Sequence, residues 1–164
     1  MTDHIIDQFR SPTLGLMDLP ELITRAVEFI EKEQNSHFRI VIGTDSELTD
    51  NSTAHFVSAI VVHHVGHGGV YFWGQVTKGG IKDLRQRMYE EATYSLTLAQ
   101  RVLDEFKKRD LPLDKLLEIH VDVGQNGDTK TMINEIVGMI KGSGFVCKTK
   151  PESFGASNVA DRHT

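Results

Sequence analysis

The sequence predicts a single α/β domain built on a mixed sheet, and three observations predict it. Three β-rich runs follow one another with polar or glycine-rich connections, as in an antiparallel meander. A long amphipathic helical stretch comes next. Two more β-rich runs then bracket another helix, the arrangement of a strand pair joined by a crossover.

Residues 1–17, with Ser11-Pro12 and Gly15 as breakers, read as a loosely packed arm ahead of one domain spanning 18–164. Asp18 is placed to cap a first helix, with Pro20 in its first turn and Glu21 three residues after the cap. Leu22, Ile23, Ala26, Val27 and Ile30 then recur at helical spacing, which carries the helix to about Glu33. Phe38 to Asp45 reads as the first strand and Ser46 to Thr53 as a polar loop. Phe56 to His64 and Val70 to Thr77 are the next two strands, joined by Gly66-His67-Gly68-Gly69. Beyond Gly79-Gly80 a long helix runs from about Ile81 to Arg109. Leu116 to Val123 is a fourth strand, Thr129 to Lys141 a helix stopped by Gly142, and Phe145 to Thr149 a fifth strand. Ser157 opens a last helical turn.

A chain of 164 residues with 39% hydrophobic and 25% charged residues can bury a substantial core. Cys147 is the single cysteine, so no intrachain disulfide can form. Met1 to Pro12 contains no apolar signal segment, and no run is long enough to span a bilayer, so a cytoplasmic location is expected. The net charge of −5 weighs against a dedicated nucleic-acid binder. A site that clusters carboxylates around metal ions nevertheless reads as acidic until the ions are counted.

Four acids stand where such a site would need them. Asp45 closes an apolar strand beside Gly43, where it either caps a turn or meets a ligand at the sheet edge. Asp122 repeats the arrangement in His120-Val121-Asp122-Val123-Gly124, with His120 and Asp122 on one face. A carboxylate there is costly to bury without a cation or donor. In the long helix Leu84, Met88, Ser95, Leu98, Val102 and Phe106 form one stripe. Glu91 falls within it, while Glu90 is rotated by about 100° toward solvent. Glu91 thus needs a partner, either a metal ion or Arg87 one turn earlier. Asp161 lies three residues after Asn158, as a first-turn acid or a ligand, and His163 follows as a possible proton relay. The run from Asp122 to Gly127 begins like a calcium loop, but Gly124 and Ile133 occupy positions that require acid or amide ligands, so that reading fails.

The blocks Ile42-Gly43-Thr44-Asp45-Ser46, His120 to Gly127 and Lys150 to Thr164 resemble the bacterial YkuK family, a largely uncharacterised group classed as ribonuclease H-like. The resemblance covers about residues 15–164. It implies a ribonuclease H-like fold with a five-stranded mixed sheet, its first three strands antiparallel, flanked by helices. It also implies an acid in the first strand, one in the helix after the third strand, one ending the fourth strand and one in the last helix. Asp45, Glu91, Asp122 and Asp161 match those places in order, with helical phase separating Glu91 from Glu90.

Hard oxygen ligands of this kind suit Mg²⁺ or Mn²⁺, and two such ions can activate water and stabilise a leaving phosphodiester oxygen. In that scheme Asp45 bridges, Asp122 holds one ion, and Glu91 and Asp161 complete the two spheres. Lys130, Lys148, Lys150 and Arg162, with Lys78 or Lys82, are the expected phosphate partners, beside the amides of Gly127-Asp128-Thr129. His63, His64 and His67 flank a hairpin turn and are not expected to chelate a metal, and Tyr71, Phe72 and Trp73 are expected to serve the core rather than stack on bases. The expected function is hydrolysis of nucleic acid by a metal-dependent nuclease. Its rivals are a non-catalytic binding module of the same fold and a phosphohydrolase acting on a small phosphorylated substrate.

Overall fold

The computed structural model describes residues 5–33, 35–122, 130–150, 159–160 and 162–164. Its elements are β1 (Phe9–Ser11), β2 (Gly15–Met17), α1 (Leu19–Glu31), β3 (Phe38–Leu48), β4 (Ala54–His64), β5 (Gly68–Lys78), α2 (Leu84–Lys108), a 3₁₀ turn (Asp114–Leu116), β6 (Leu117–His120), α3 (Lys130–Gly142) and β7 (Val146–Lys148). They form one mixed sheet in the order β2-β1-β5-β4-β3-β6-β7.

The meander and the crossover are both present. β3, β4 and β5 pair antiparallel in unbroken register, Phe38 with His64 through Leu48 with Ala54, and Ala54 with Lys78 through His64 with Gly68. β6 runs parallel to β3, and β7 parallel to β6, with α3 between them in sequence.

Two expectations are corrected. The sheet has seven strands rather than five, because the segment read as a loose arm folds into the β1–β2 hairpin and joins the sheet through Arg10 opposite Trp73. Burial drives this: Ile6, Phe9 and Met17 enter the main core, and Gly15, at a positive φ, makes the turn. The first strand also does not end at Asp45. It continues through Ser46 and Glu47 to Leu48, because β4 supplies pairing partners for that whole stretch.

α1 and α2 are both capped at their starts, α2 beginning at Leu84 rather than at about Ile81. The Asp18 carboxylate accepts from the Glu21 amide at 3.0 Å, and Asp83 accepts from Gln86 at 2.8 Å. Phe38, Ile40, Ile42, Ile60, Phe72 and Ile119 cover one sheet face and pack beneath α1, α2 and α3. Along α2 the apolar stripe buries Leu98, Val102 and Phe106, but Leu84, in the first turn, is half exposed. On the opposite face Val41, Val57 and Ala59 pack with Val61, Trp73, Val159 and Ala160. Phe72 is a core residue, while Tyr71 and Trp73 stand on this second face. Among the described residues no helix is long and apolar enough to cross a membrane.

Candidate active site

The site forms where β3 and β6 run side by side. Alternation along β3 sends Thr44 and Ser46 toward α2 and Asp45 to the other face. Thr44 Oγ1 lies 2.7 Å from Ser58 Oγ on β4 and 2.8 Å from Ser95 Oγ on α2, so three buried hydroxyls tie two strands to the helix. Two residues on, Ser46 Oγ donates to Glu91 Oε1 at 2.6 Å. The stripe that packs α2 against the sheet thereby delivers Glu91 to β3, one helical turn before Ser95.

Glu91 is strongly perturbed. Burial pushes its pKa up from 4.5 to about 8, the Ser46 hydrogen bond opposes the rise, and the negative charges of Asp45 and Asp122 add to it. Arg87 is near enough for its charge to work the other way, yet its buried Nε has no hydrogen-bond partner among the described residues. Glu90 points elsewhere, into a 2.7 Å ion pair with Lys78. The distinction drawn from helical phase between the two glutamates is therefore visible in their surroundings.

Asp122 follows β6 and shares its face with Glu118 and His120 by alternation. Lys150, just beyond β7, places Nζ 2.7 Å from Asp122 Oδ1, and this contact raises the lysine pKa. Glu118 is the residue that sequence reasoning missed. Burial alone would raise its pKa, but the His120 hydrogen bond and the charges of His120, Lys148 and Arg39 outweigh burial and hold it below the usual value. The Glu118–His120 contact is 2.7 Å and Lys148 stands 3.6 Å from the second carboxylate oxygen. Its signal was available: residues 118, 120 and 122 alternate onto one face of a single strand.

Asp45 and Asp122 are thus both brought close enough to Glu91 for their charges to act on it. They approach the β3–β6 seam from two sides, Glu91 from α2 and the aspartates from the other face. Among the described residues no three His, Cys, Asp or Glu side chains are close enough to enclose an ion. Asp161 lies outside the described residues, as do Asn158 and the amides of Gly127-Asp128-Thr129. The donor set nevertheless suits a hard divalent cation: burial and the charges of Asp45 and Asp122 disfavour the Glu91 carboxylate, and a lysine ammonium already stands against Asp122.

His163 is not brought to these acids. Its ring stacks on Trp73 at 4.1 Å, and its Nε2 lies 3.4 Å from the Tyr71 hydroxyl, both on β5, two strands from Asp45. Burial first, then the charge of Arg162, lowers its pKa. Of the expected phosphate partners, Lys148 and Lys150 line the β7 side of the site, while Lys130 and Arg162 are exposed. His64 stacks on Phe38 at 4.7 Å and lies beside His67 at 4.5 Å, a packing role at the hairpin end.

A mixed sheet built on a three-strand antiparallel meander followed by two parallel strands joined by a crossover helix is the framework of a ribonuclease H-like protein. The family model described as "Ribonuclease H-like" matches residues 21–164, and the chain belongs to that family. Within it the chain is similar to the uncharacterised protein YkuK of Bacillus subtilis (strain 168), at 31% identity over 161 residues, covering 90% of this chain and 91% of the relative. No solved structure matches.

Proposed function

We propose that the protein is a divalent-metal-dependent nuclease that hydrolyses phosphodiester bonds of nucleic acid. The observation that carries this reading is the approach of Asp45, Glu91 and Asp122, from three separate elements, to one end of the β3–β6 seam. Family membership supports it, because a ribonuclease H-like chain suggests a function related to nucleic acid.

Asp45, Glu91 and Asp122, with Asp161, would hold Mg²⁺ or Mn²⁺. The ions, when bound, supply an activated water and neutralise charge on the phosphate. The chain's own contribution is to position the acids. Ser46 orients Glu91, and the Thr44 hydroxyl network holds β3 against α2. Lys150 stands against Asp122 and Lys148 against Glu118, and with an ion held by the acids these two lysines would be the groups available to substrate phosphate. His163 is assigned no proton transfer here, since its ring is held by Trp73.

Calorimetry with Mn²⁺ and Mg²⁺ on the wild type, Asp45→Asn and Asp122→Asn tests the metal site. Cleavage assays on single-stranded, duplex, hybrid and branched nucleic acids test the reaction. Ion binding that both substitutions abolish, with Mn²⁺-dependent cleavage, is the expected result. Absence of ion binding at millimolar concentration would overturn the reading, and binding without cleavage of any substrate would remove the nuclease activity from it.

A further inference from the structure

We propose that His120 supplies a nitrogen ligand to the divalent ion, so that the site favours Mn²⁺ over Mg²⁺; this rests on the metal-dependent reading above. His120 is the last residue of β6, two positions before Asp122 and on the same face. It is only 4% exposed, which is unusual for an imidazole and demands partners for both ring nitrogens. Nε2 has one, the Glu118 carboxylate at 2.7 Å. Nδ1 has none among the described residues, although it too is shut off from solvent.

The direction of that vacant nitrogen follows from the ring. The two nitrogens of an imidazole sit on opposite flanks, so with Nε2 turned back to Glu118, Nδ1 faces away from it. The next side chain along that face, away from Glu118, is Asp122. A carboxylate acceptor on Nε2 holds a proton on that nitrogen, so in the neutral ring it is Nδ1 that carries the lone pair. Lys148 and Lys150 are engaged with Glu118 and Asp122, and a buried lone pair left unmet is destabilising. A cation satisfies it.

The pairing of Glu118 with His120 is also the support that ligating histidines use. A carboxylate on the remote nitrogen fixes the tautomer and the ring orientation and makes the near nitrogen more basic. Burying Glu118 at 8% exposure, with Lys148 at 3.6 Å to hold its charge, has no evident purpose in packing, since an apolar residue would fill that strand position at less cost. It is explained if His120 must be held in one state. A nitrogen donor is accommodated far better by Mn²⁺ than by Mg²⁺, which takes oxygen ligands almost exclusively.

The test is pulsed electron paramagnetic resonance of Mn²⁺ bound to the full chain. Modulation from a directly coordinated ¹⁴N is expected in the wild type and in His163→Gln, and lost in His120→Gln. Calorimetry is expected to show Mn²⁺ affinity falling at least about tenfold in His120→Gln, with a smaller change for Mg²⁺. Bound Mn²⁺ without nitrogen modulation in the wild type would overturn the assignment of His120 and leave the carboxylate site standing. Modulation that survives in His120→Gln, or disappears in His163→Gln, would overturn it as well. If His120→Gln does not fold, the wild-type and His163→Gln spectra decide by themselves. No Mn²⁺ binding at all would overturn the metal-dependent reading together with this one.

Discussion

Ser46 Oγ donates a 2.6 Å hydrogen bond to Glu91 Oε1, joining the last stretch of β3 to a carboxylate on the long helix. Four residues further along α2, Ser95 meets Thr44 at 2.8 Å. The two contacts match a step of two along a strand to a step of one turn along a helix. They fix the axial position of α2 on the sheet, and with it the place where Glu91 meets Asp45 and Asp122.

The neutral state of Glu91 makes stability depend on pH. Its folded pKa, about 8, lies above the 4.5 of an unperturbed glutamate, so the native state binds a proton that the unfolded state releases. The stabilisation is complete below about pH 4.5 and is lost as pH rises through about 8. At about 1.4 kcal/mol per pKa unit, the loss amounts to a few kcal/mol. Urea unfolding of the metal-free protein between pH 5 and 9 is expected to show this decline, and Glu91→Gln to flatten it. Mn²⁺ is expected to restore stability most strongly at the alkaline end, where it meets an ionised carboxylate without displacing a proton.

Thr44 is the centre of the buried hydroxyl trio, with Ser58 and Ser95 at its two sides. Thr44→Val keeps the shape but strands both serines, whereas Ser58→Ala or Ser95→Ala removes one hydroxyl and leaves a bonded pair. The expected cost is about 1–3 kcal/mol for Thr44→Val and less for either serine. Adding either serine substitution to Thr44→Val should then cost less than it does alone, the signature of a shared network. Additive free energies in denaturant titrations would contradict the coupling.

The placement of Glu91 beside the strand that carries Asp45 was legible in the sequence, and what was not legible has physical causes. Glu91 was separable from Glu90 because 25 helical residues give a well-determined apolar phase. Asp18 and Asp83 could cap because capping is a local event, although only Asp18 was read as a cap. The β1–β2 hairpin was not legible, since three-residue strands carry too few positions to show a period. The continuation of β3 past Asp45 was hidden for a different reason. Ser46, Glu47 and Leu48 are held as strand by pairing with Ala54, His55 and Phe56, a tertiary effect that a run of polar residues does not announce. Glu118 was passed over because a charged residue in an apolar strand reads as surface until its burial is known.

Lys150 competes with any ion for Asp122. Its side chain is about half exposed, so the ion pair is worth under about 1 kcal/mol despite its 2.7 Å distance. Lys150→Ala is therefore expected to tighten Mn²⁺ binding by a few fold, measured by calorimetry without substrate. The same substitution is expected to raise the KM for nucleic acid, because a cation positioned for phosphate is lost. Weaker ion binding in Lys150→Ala would show that the lysine supports the acidic cluster rather than standing in for its ion.

The amino-terminal segment is held against the sheet at a point where no side chain fits. A Cβ placed on Gly74 of β5 would collide with the Ile6 side chain and stand 2.6 Å from the Gln8 carbonyl oxygen, a backbone atom that cannot turn aside. Gly74→Ala is therefore expected to push residues 6–8 off β5 and weaken the seating of Phe9, which is fully buried. Overpacking of this kind costs about 1–3 kcal/mol. The Arg101 contact with the Ile6 carbonyl, 2.6 Å long, would be lost in the same movement. Because Gly74 stands two strands from β3, at the level of Ser58, the ion affinity of the Asp45–Asp122 site is expected to stay within a few fold of wild type. Hydrogen exchange of the Phe9 and Arg10 amides in Gly74→Ala checks this directly. Faster exchange there with unchanged exchange in β3 and β4 is the expected pattern, since the hairpin is added to the meander and the meander keeps its own full register without it.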